Sequence, residues 1–212
     1  DCGRLEFVTF QGNEEFDRKK GKGYGEALIL EYALEHSLFV HQCDFLVKIT
    51  GRLKLLNVNS MIGFHRYILP HCDIQSEMDR RERYSDSRML ITDKGFLQHS
   101  FLARKERIDD SKGCNFEHIL FTSIDEQKDF VFYPFLIRPL WRGISGTNGR
   151  EYWEGNYTSL KLAYFKRMLN CMTEYNMCHP HNKPSMGVRL VLGMAGMAVG
   201  TVLRFFDWIK NE

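Results

Sequence analysis

Apolar positions along the chain follow two periods. Period two marks strands. Leu5-Glu6-Phe7-Val8-Thr9-Phe10 alternates and predicts a strand, and the short apolar runs within 44–50 (Phe45–Thr50), Cys72–Ser76, Arg88–Thr92 and Phe130–Phe135 predict others. In the second of these, alternation would bury Ile49. A period near 3.6 predicts helices from about 23 to 37, over 57–68, and from Tyr157 to Met172. Asn57 or Asn59 is placed to cap the second of these, and Thr92 or Asp93 to cap a further helix carrying Phe96, Leu97, Phe101 and Leu102. Asp109-Asp110 opens a turn into another helix start at Cys114–Leu120. Glu77–Ser87, dense in charge with Arg80, Arg81 and Arg83, reads as a solvated loop or helix face, or, beside a phosphate site, as a mobile lid. Gly143–Gly149 is a glycine-punctuated loop. There are no internal repeats.

Strands alternating with helices predict an α/β protein with a mixed sheet flanked by helices and a C-terminal helical appendage, divided at about residues 1–155 and 156–212. A strand at 5–10 is an unusual opening, because a nucleotide-binding α/β domain ordinarily places a strand and helix before such a unit. The expectation is that the natural start is missing. From Val191 to Leu203 every residue is apolar, glycine or threonine, with Arg189 and Arg204 as flanks and Trp208 beyond. That run is shorter than the ~20 residues a bilayer span needs. It reads either as a buried or docking helix or as an interfacial element giving membrane-surface contact.

Composition narrows the partners. A formal net charge of +2 supplies no general polyanion surface, so nucleic acid is not an expected partner. Six cysteines without a Cys-x-x-Cys spacing, and no secretory signal, suit reduced thiols and a cytoplasmic location, with peripheral attachment at the inner membrane face as the extension offered by the C-terminal run. Cys178-His179-Pro180-His181, with Cys171 before it, matches no standard zinc spacing, and the proline splays the histidines.

Two linked segments carry the chemistry. Gly21-Lys22-Gly23-Tyr24-Gly25-Glu26 is a glycine-rich turn opening a helix, where backbone N–H groups favour phosphate. It has neither the P-loop spacing nor that of a dinucleotide fingerprint. Lys48-Ile49-Thr50-Gly51-Arg52 ends an apolar strand in a glycine-broken basic tip, and a guanidinium there offers a fork for paired phosphate oxygens. A strand simply ending at the surface with solvated charges is the competing reading. Ligands of open α/β sheets bind at strand carboxyl ends, which points to a diphosphate-bearing ligand.

In this order of elements the chain resembles the front half of GT-A-type nucleotide-diphospho-sugar glycosyltransferases. With Gly21–Glu26, Lys48–Arg52 and Gly143–Gly149 it also resembles bacterial capsular and surface-polysaccharide transferases, over roughly residues 5 to 152. The resemblance implies a GT-A-like (Rossmann-like) fold, a nucleotide-sugar donor, and a saccharide or lipid-linked acceptor. Thr50-Gly51-Arg52 stands where that family carries its metal-binding Asp-x-Asp, so the expectation is metal-independent transfer without a cofactor. Arg52, Lys48 and Lys22 would then stabilise the leaving diphosphate, with Gly23, Thr50 and Gly51 beside it. A divalent metal, not favoured, would have to use Asp86, Asp109 or Asp110.

An inverting transferase needs a proton acceptor. Glu117, at a helix start between Phe116 and His118, is the first candidate; Asp110 is the second, and His118 a partner. As a first-turn glutamate, Glu117 also fits a purely structural role. Ser145, Gly146 and Thr147, beside Trp141, offer hydroxyls, N–H groups and an aromatic face for a sugar. The competing classes are a non-catalytic phosphate-ligand or scaffold module and a sugar nucleotidyltransferase.

Overall fold

The computed structural model describes residues 5–10, 18–144, 149, 151–153 and 158–179. Two short helices lead in, α1 (Lys22–His36) and α2 (Leu38–His41), followed by strands β1 (Phe45–Ile49) and β2 (Leu53–Leu55) and helix α3 (Val58–Ile68). Then come β3 (Ile74–Ser76), a hairpin of β4 (Met78–Asp79) and β5 (Tyr84–Ser85), and β6 (Met89–Asp93). A wide helical turn over Phe96–Phe101 tightens into Leu102–Arg107 before α4 (Phe116–Asp125), β7 (Phe132–Pro134), β8 (Trp141–Ile144), β9 (Glu151–Trp153) and α5 (Thr158–Cys178).

The main sheet has the order β1-β6-β3-β7. β6 runs antiparallel to both neighbours, with Val47 opposite Ile91 and Ile74 opposite Thr92, while β3 and β7 are parallel. β1, β3 and β7 therefore point the same way, and their carboxyl ends share one margin. The molecule is a mixed α/β protein, as the alternation of periods predicts.

One face of the sheet, through Ile74, Leu90 and Phe132, packs on Ala27 and Leu34 of α1, Phe116, Ile119, Leu120 and Ile124 of α4, and Tyr175 of α5. The apolar residues of α4 recur at three- and four-residue steps, and Asn115 caps its start by accepting the His118 N–H at 3.1 Å. The opposite face, through Met89 and Ile91, meets Met61 of α3 together with Leu55 and Trp141 of the small β2-β8-β9 sheet.

Four expectations change. Residues 5–10 form no strand: Glu6 instead accepts from Ser37 Oγ at 2.6 Å and from the Leu38 and Phe39 N–H groups, capping α2. Alternation in β1 runs in the opposite phase, leaving Ile49 38% exposed and turning Lys48 inward. Glu77–Ser87 is neither loop nor lid but the β4–β5 hairpin, pinned to β3 by Ser76 Oγ and Ser85 Oγ at 2.7 Å. Its turn closes as Asp79 Oδ1 accepts the Arg81 and Glu82 N–H groups and Arg83 adopts a left-handed φ of 52°. Finally, α5 continues past Met172 to Cys178, since Tyr175 is needed in the core and donates its hydroxyl to Ile124 O.

Asn57 does stand at the start of α3, but its side chain bridges Arg138 O and Leu140 N at 2.9 Å, tying α3 to the β7–β8 connection. Asp93 caps as expected, accepting the Phe96 N–H at 3.0 Å.

Candidate functional site

The glycine turn is built around a carboxylate of the chain itself. Gly21 has φ 88°, and a Cβ there would fall 2.6 Å from Asp110 Cγ. The Gly23 N–H donates to Asp110 Oδ2 at 3.1 Å. The anion favoured by this helix start is thus already supplied by Asp110, which serves as a helix cap. Lys22 is exposed at the first position of α1.

The tip of β1 splits into an inward and an outward part. Lys48, its side chain only 9% exposed, pairs with Glu26 of α1, donates to Ser87 O and lies over the Phe116 ring. Ser87 Oγ in turn donates to Glu117 Oε1 at 2.7 Å. The Thr50 N–H reaches Arg88 O at 2.9 Å. Lys48, Thr50 and Glu117 thus converge on the 86–88 segment. Gly51 and Arg52 are exposed in the turn beyond. Trp141 offers no face to a sugar: it is 2% exposed, in the core with Met61 and Ile91, with the Arg88 guanidinium over it. Ser145, Gly146 and Thr147 lie outside the described residues, as do the C-terminal run 191–203 and His181. His118, expected beside Glu117, instead places Nδ1 3.0 Å from Gly113 O.

A cavity of about 340 Å³ opens at the carboxyl end of β3. Glu77, Asp79, Glu82, Tyr84, Asp86, His118 and Arg167 line it, drawn from β3's end, the hairpin, α4 and α5. Glu77 is held by backbone on one side, where its carbonyl accepts the Asp86 N–H at 2.8 Å, and by an ion pair to Arg167 on the other. Asp86 is gripped by Arg88, whose Nε lies 2.8–2.9 Å from both carboxylate oxygens. Burial, then the neighbouring Asp86 charge, pushes the Glu77 carboxyl above the usual range, with Arg167 opposing. Burial, followed by the charges of Glu117 and Asp86, raises the Tyr84 phenol, which keeps it a hydrogen-bond donor. The Tyr84 and His118 rings meet edge to face at 6.2 Å.

Glu77, Tyr84 and Arg167 escape a reading by local motif, because the hairpin segment carrying Glu77 and Tyr84 meets Arg167 of α5 only in the fold. One signal was available: Glu77 is the first residue after β3, at a strand carboxyl end of the kind that borders ligand sites. Glu117 does not line the cavity, although its charge reaches Tyr84 there.

The carboxylates named for a metal are otherwise engaged. Asp86 holds Arg88, Asp110 caps α1, and Lys112 and then Ser111 hold the Asp109 carboxyl down to about 2. Thr50-Gly51-Arg52 adds no carboxylate, so these residues do not fit a divalent ion at the β1 tip. Among the described residues no group of three or more His, Cys, Asp or Glu is placed to hold a metal ion, and no helix is long and apolar enough to cross a membrane.

The class these features define is a mixed α/β protein with a polar cavity at the carboxyl margin of its sheet. Compared with known proteins, the chain matches no family model, no curated protein and no solved structure.

Proposed function

We propose that this protein is a GT-A-like glycosyltransferase that moves a sugar from a nucleoside-diphosphate sugar to a saccharide or lipid-linked acceptor, in the manner of bacterial surface-polysaccharide enzymes. The observation that carries the reading is the cavity at the carboxyl end of β3, with carboxylates, a phenol and a guanidinium facing one small volume. The sequence resemblance at Gly21–Glu26, Lys48–Arg52 and Gly143–Gly149 is its second support, although Asp110 occupies the helix start and Lys48 pairs with Glu26. Carboxylates and phenols are the groups that hold and deprotonate sugar hydroxyls. Negative charge builds on the diphosphate as the glycosidic bond breaks, and the exposed Arg52 and Lys22 are the cations offered to it. Membrane-surface attachment and a cytoplasmic location belong to the same proposal.

The test is a calorimetric and thermal-shift screen against UDP, GDP, CMP and their sugar conjugates, with and without chelator. A nucleotide sugar that raises the melting temperature of the wild type, and fails to do so in Arg52→Ala, supports the donor site. Turnover that survives chelation supports metal independence; loss restored by Mn²⁺ or Mg²⁺ rejects it. The commitment of Asp110 and Glu117 to internal hydrogen bonds favours a second reading, a non-catalytic module for a phosphate-bearing ligand. Nucleotide-sugar binding without any transfer or hydrolysis would select it.

A further inference from the structure

Glu77 is one of the carboxylates that line the cavity, and the one that directly follows β3. It keeps about a fifth of its side chain exposed there. Arg167 engages Oε1, which leaves Oε2 for another partner. Glu117, by contrast, is joined to Ser87 and sits outside the cavity lining.

One buried polar group near these carboxylates is left without a partner among the described residues. Tyr164 of α5 is 6% exposed, and its hydroxyl has no hydrogen-bond partner among the described residues. It lies close enough to Glu77 and Asp86 for both charges to act on it. Tyr164 packs with Leu69, Met168 and Met172 and does not line the cavity, so its hydroxyl is not offered to a ligand there. Every cavity carboxylate but the exposed Glu82 is matched by a cation or N–H donor: Glu77 by Arg167, Asp86 by Arg88, Asp79 by two backbone N–H groups. The cavity is therefore not a trap for cations. It presents spare carboxylate oxygens as acceptors and Tyr84 and Arg167 as donors around a volume near the lower end of the ~300–1,000 Å³ small-molecule range. A small polyhydroxylated ligand such as a sugar ring offers partners to both kinds of group.

We infer that this cavity is the acceptor-saccharide site and that Glu77 takes the proton from the attacking hydroxyl. The inference rests on the transferase reading above. In the step, the acceptor oxygen bonds to the anomeric carbon of the donor sugar. The bond from that carbon to the diphosphate oxygen breaks, and its electron pair leaves with the diphosphate. The acceptor proton passes to Glu77 Oε2 and is then lost to solvent through the open mouth of the cavity. The raised carboxyl of Glu77 suits a base that must accept a proton near neutral pH.

The test uses the whole chain, UDP- and GDP-linked hexoses as donors, and glucose, galactose, N-acetylglucosamine and their β-linked disaccharides as acceptor probes. Release of nucleoside diphosphate is followed against pH in wild type, Glu77→Gln, Glu77→Asp and Glu117→Gln, with circular dichroism to establish folding. Glu77→Gln is expected to lower acceptor-dependent kcat by roughly 100-fold or more, to leave donor affinity unchanged and to erase the acid limb of the pH profile. Glu77→Asp is expected to recover part of the rate and keep that limb. Wild-type turnover and an intact acid limb in Glu77→Gln overturn the inference alone, as does loss of that limb in Glu117→Gln instead. A wild type that binds no donor overturns the transferase reading, and the proton role with it.

Discussion

The glycine turn at the start of α1 and the end of β3 are the two places where the chain gathers polar groups for a ligand, and they use them in opposite ways. At the turn, a contiguous and legible motif closes on itself: the Gly23 N–H meets Asp110, and Gly21 is shaped to let that carboxylate approach. At the end of β3 there is no motif, yet Glu77, Tyr84 and Arg167 leave polar atoms facing an open volume. Local pattern reports where a backbone needs a particular residue. It does not report whether the resulting polar groups remain available.

If the turn serves structure and the cavity serves a ligand, substitutions should separate the two. The largest effect is expected from Gly21→Ala, where a left-handed φ and the approach of Asp110 together cost roughly 2–3 kcal/mol, read by chemical denaturation. Adding Asp110→Ala should recover only part, because the φ of 88° stays. An undiminished stability in Gly21→Ala would break the comparison from the structural side. Lys48→Met should follow at about 2 kcal/mol, since it leaves Glu26 and the Ser87 carbonyl without their inward cation.

On the cavity side, effects on stability are expected to be smaller and tied to pH. The folded state raises the Glu77 carboxyl, so it favours the protonated form. The stability this contributes is complete below the ordinary glutamate range and is lost as pH rises through that range toward the raised value. Glu77→Gln should flatten that fall in melting temperature between acid and neutral pH; an unchanged slope would show that the group titrates normally. The smallest effect is expected from Tyr164→Phe, which removes a buried hydroxyl without a partner and should leave stability unchanged or raise it by about 1 kcal/mol. A clear destabilisation would mean that the hydroxyl is already satisfied.

The regular elements were largely legible. The apolar spacing of Ala27 and Leu34, and of Phe116, Ile119, Leu120 and Ile124, is enough to place α1 and α4, and the short apolar runs place β1, β3, β6 and β7. Where the reading failed, pairing decided. Leu5–Phe10 alternates as a strand should, but alternation gives an extended chain, not a neighbour to bond with. Glu77–Ser87 hides its inward residues, Met78 and Ser85, among charges that dominate any count of polarity. Alternation places Ile49 inside, whereas in β1 Leu46 and Lys48 take the inward side, Lys48 pairing with Glu26. Of the candidate site, Lys48 and Glu117 were visible and do meet through Ser87. The cavity was not, because its walls come from segments as far apart as Glu77 and Arg167.

The single parallel pairing in the main sheet also sets a timetable for synthesis. β3 can join β6 and β1 as soon as those segments emerge, but its other edge waits for β7, a contact marked by the Val131 N–H on Asp73 across 58 residues. Between the end of β6 at Asp93 and the start of β7 at Phe132, synthesis at ~5–20 residues per second leaves the three-strand sheet with an unpaired edge for about 2–8 s. Glu77 hangs from the end of that same strand, and Arg167 emerges later still. The nascent chain therefore passes through an interval in which it is most exposed to misassociation before its cavity has a wall, and a chaperone that shields β3 would protect the fold and the site together.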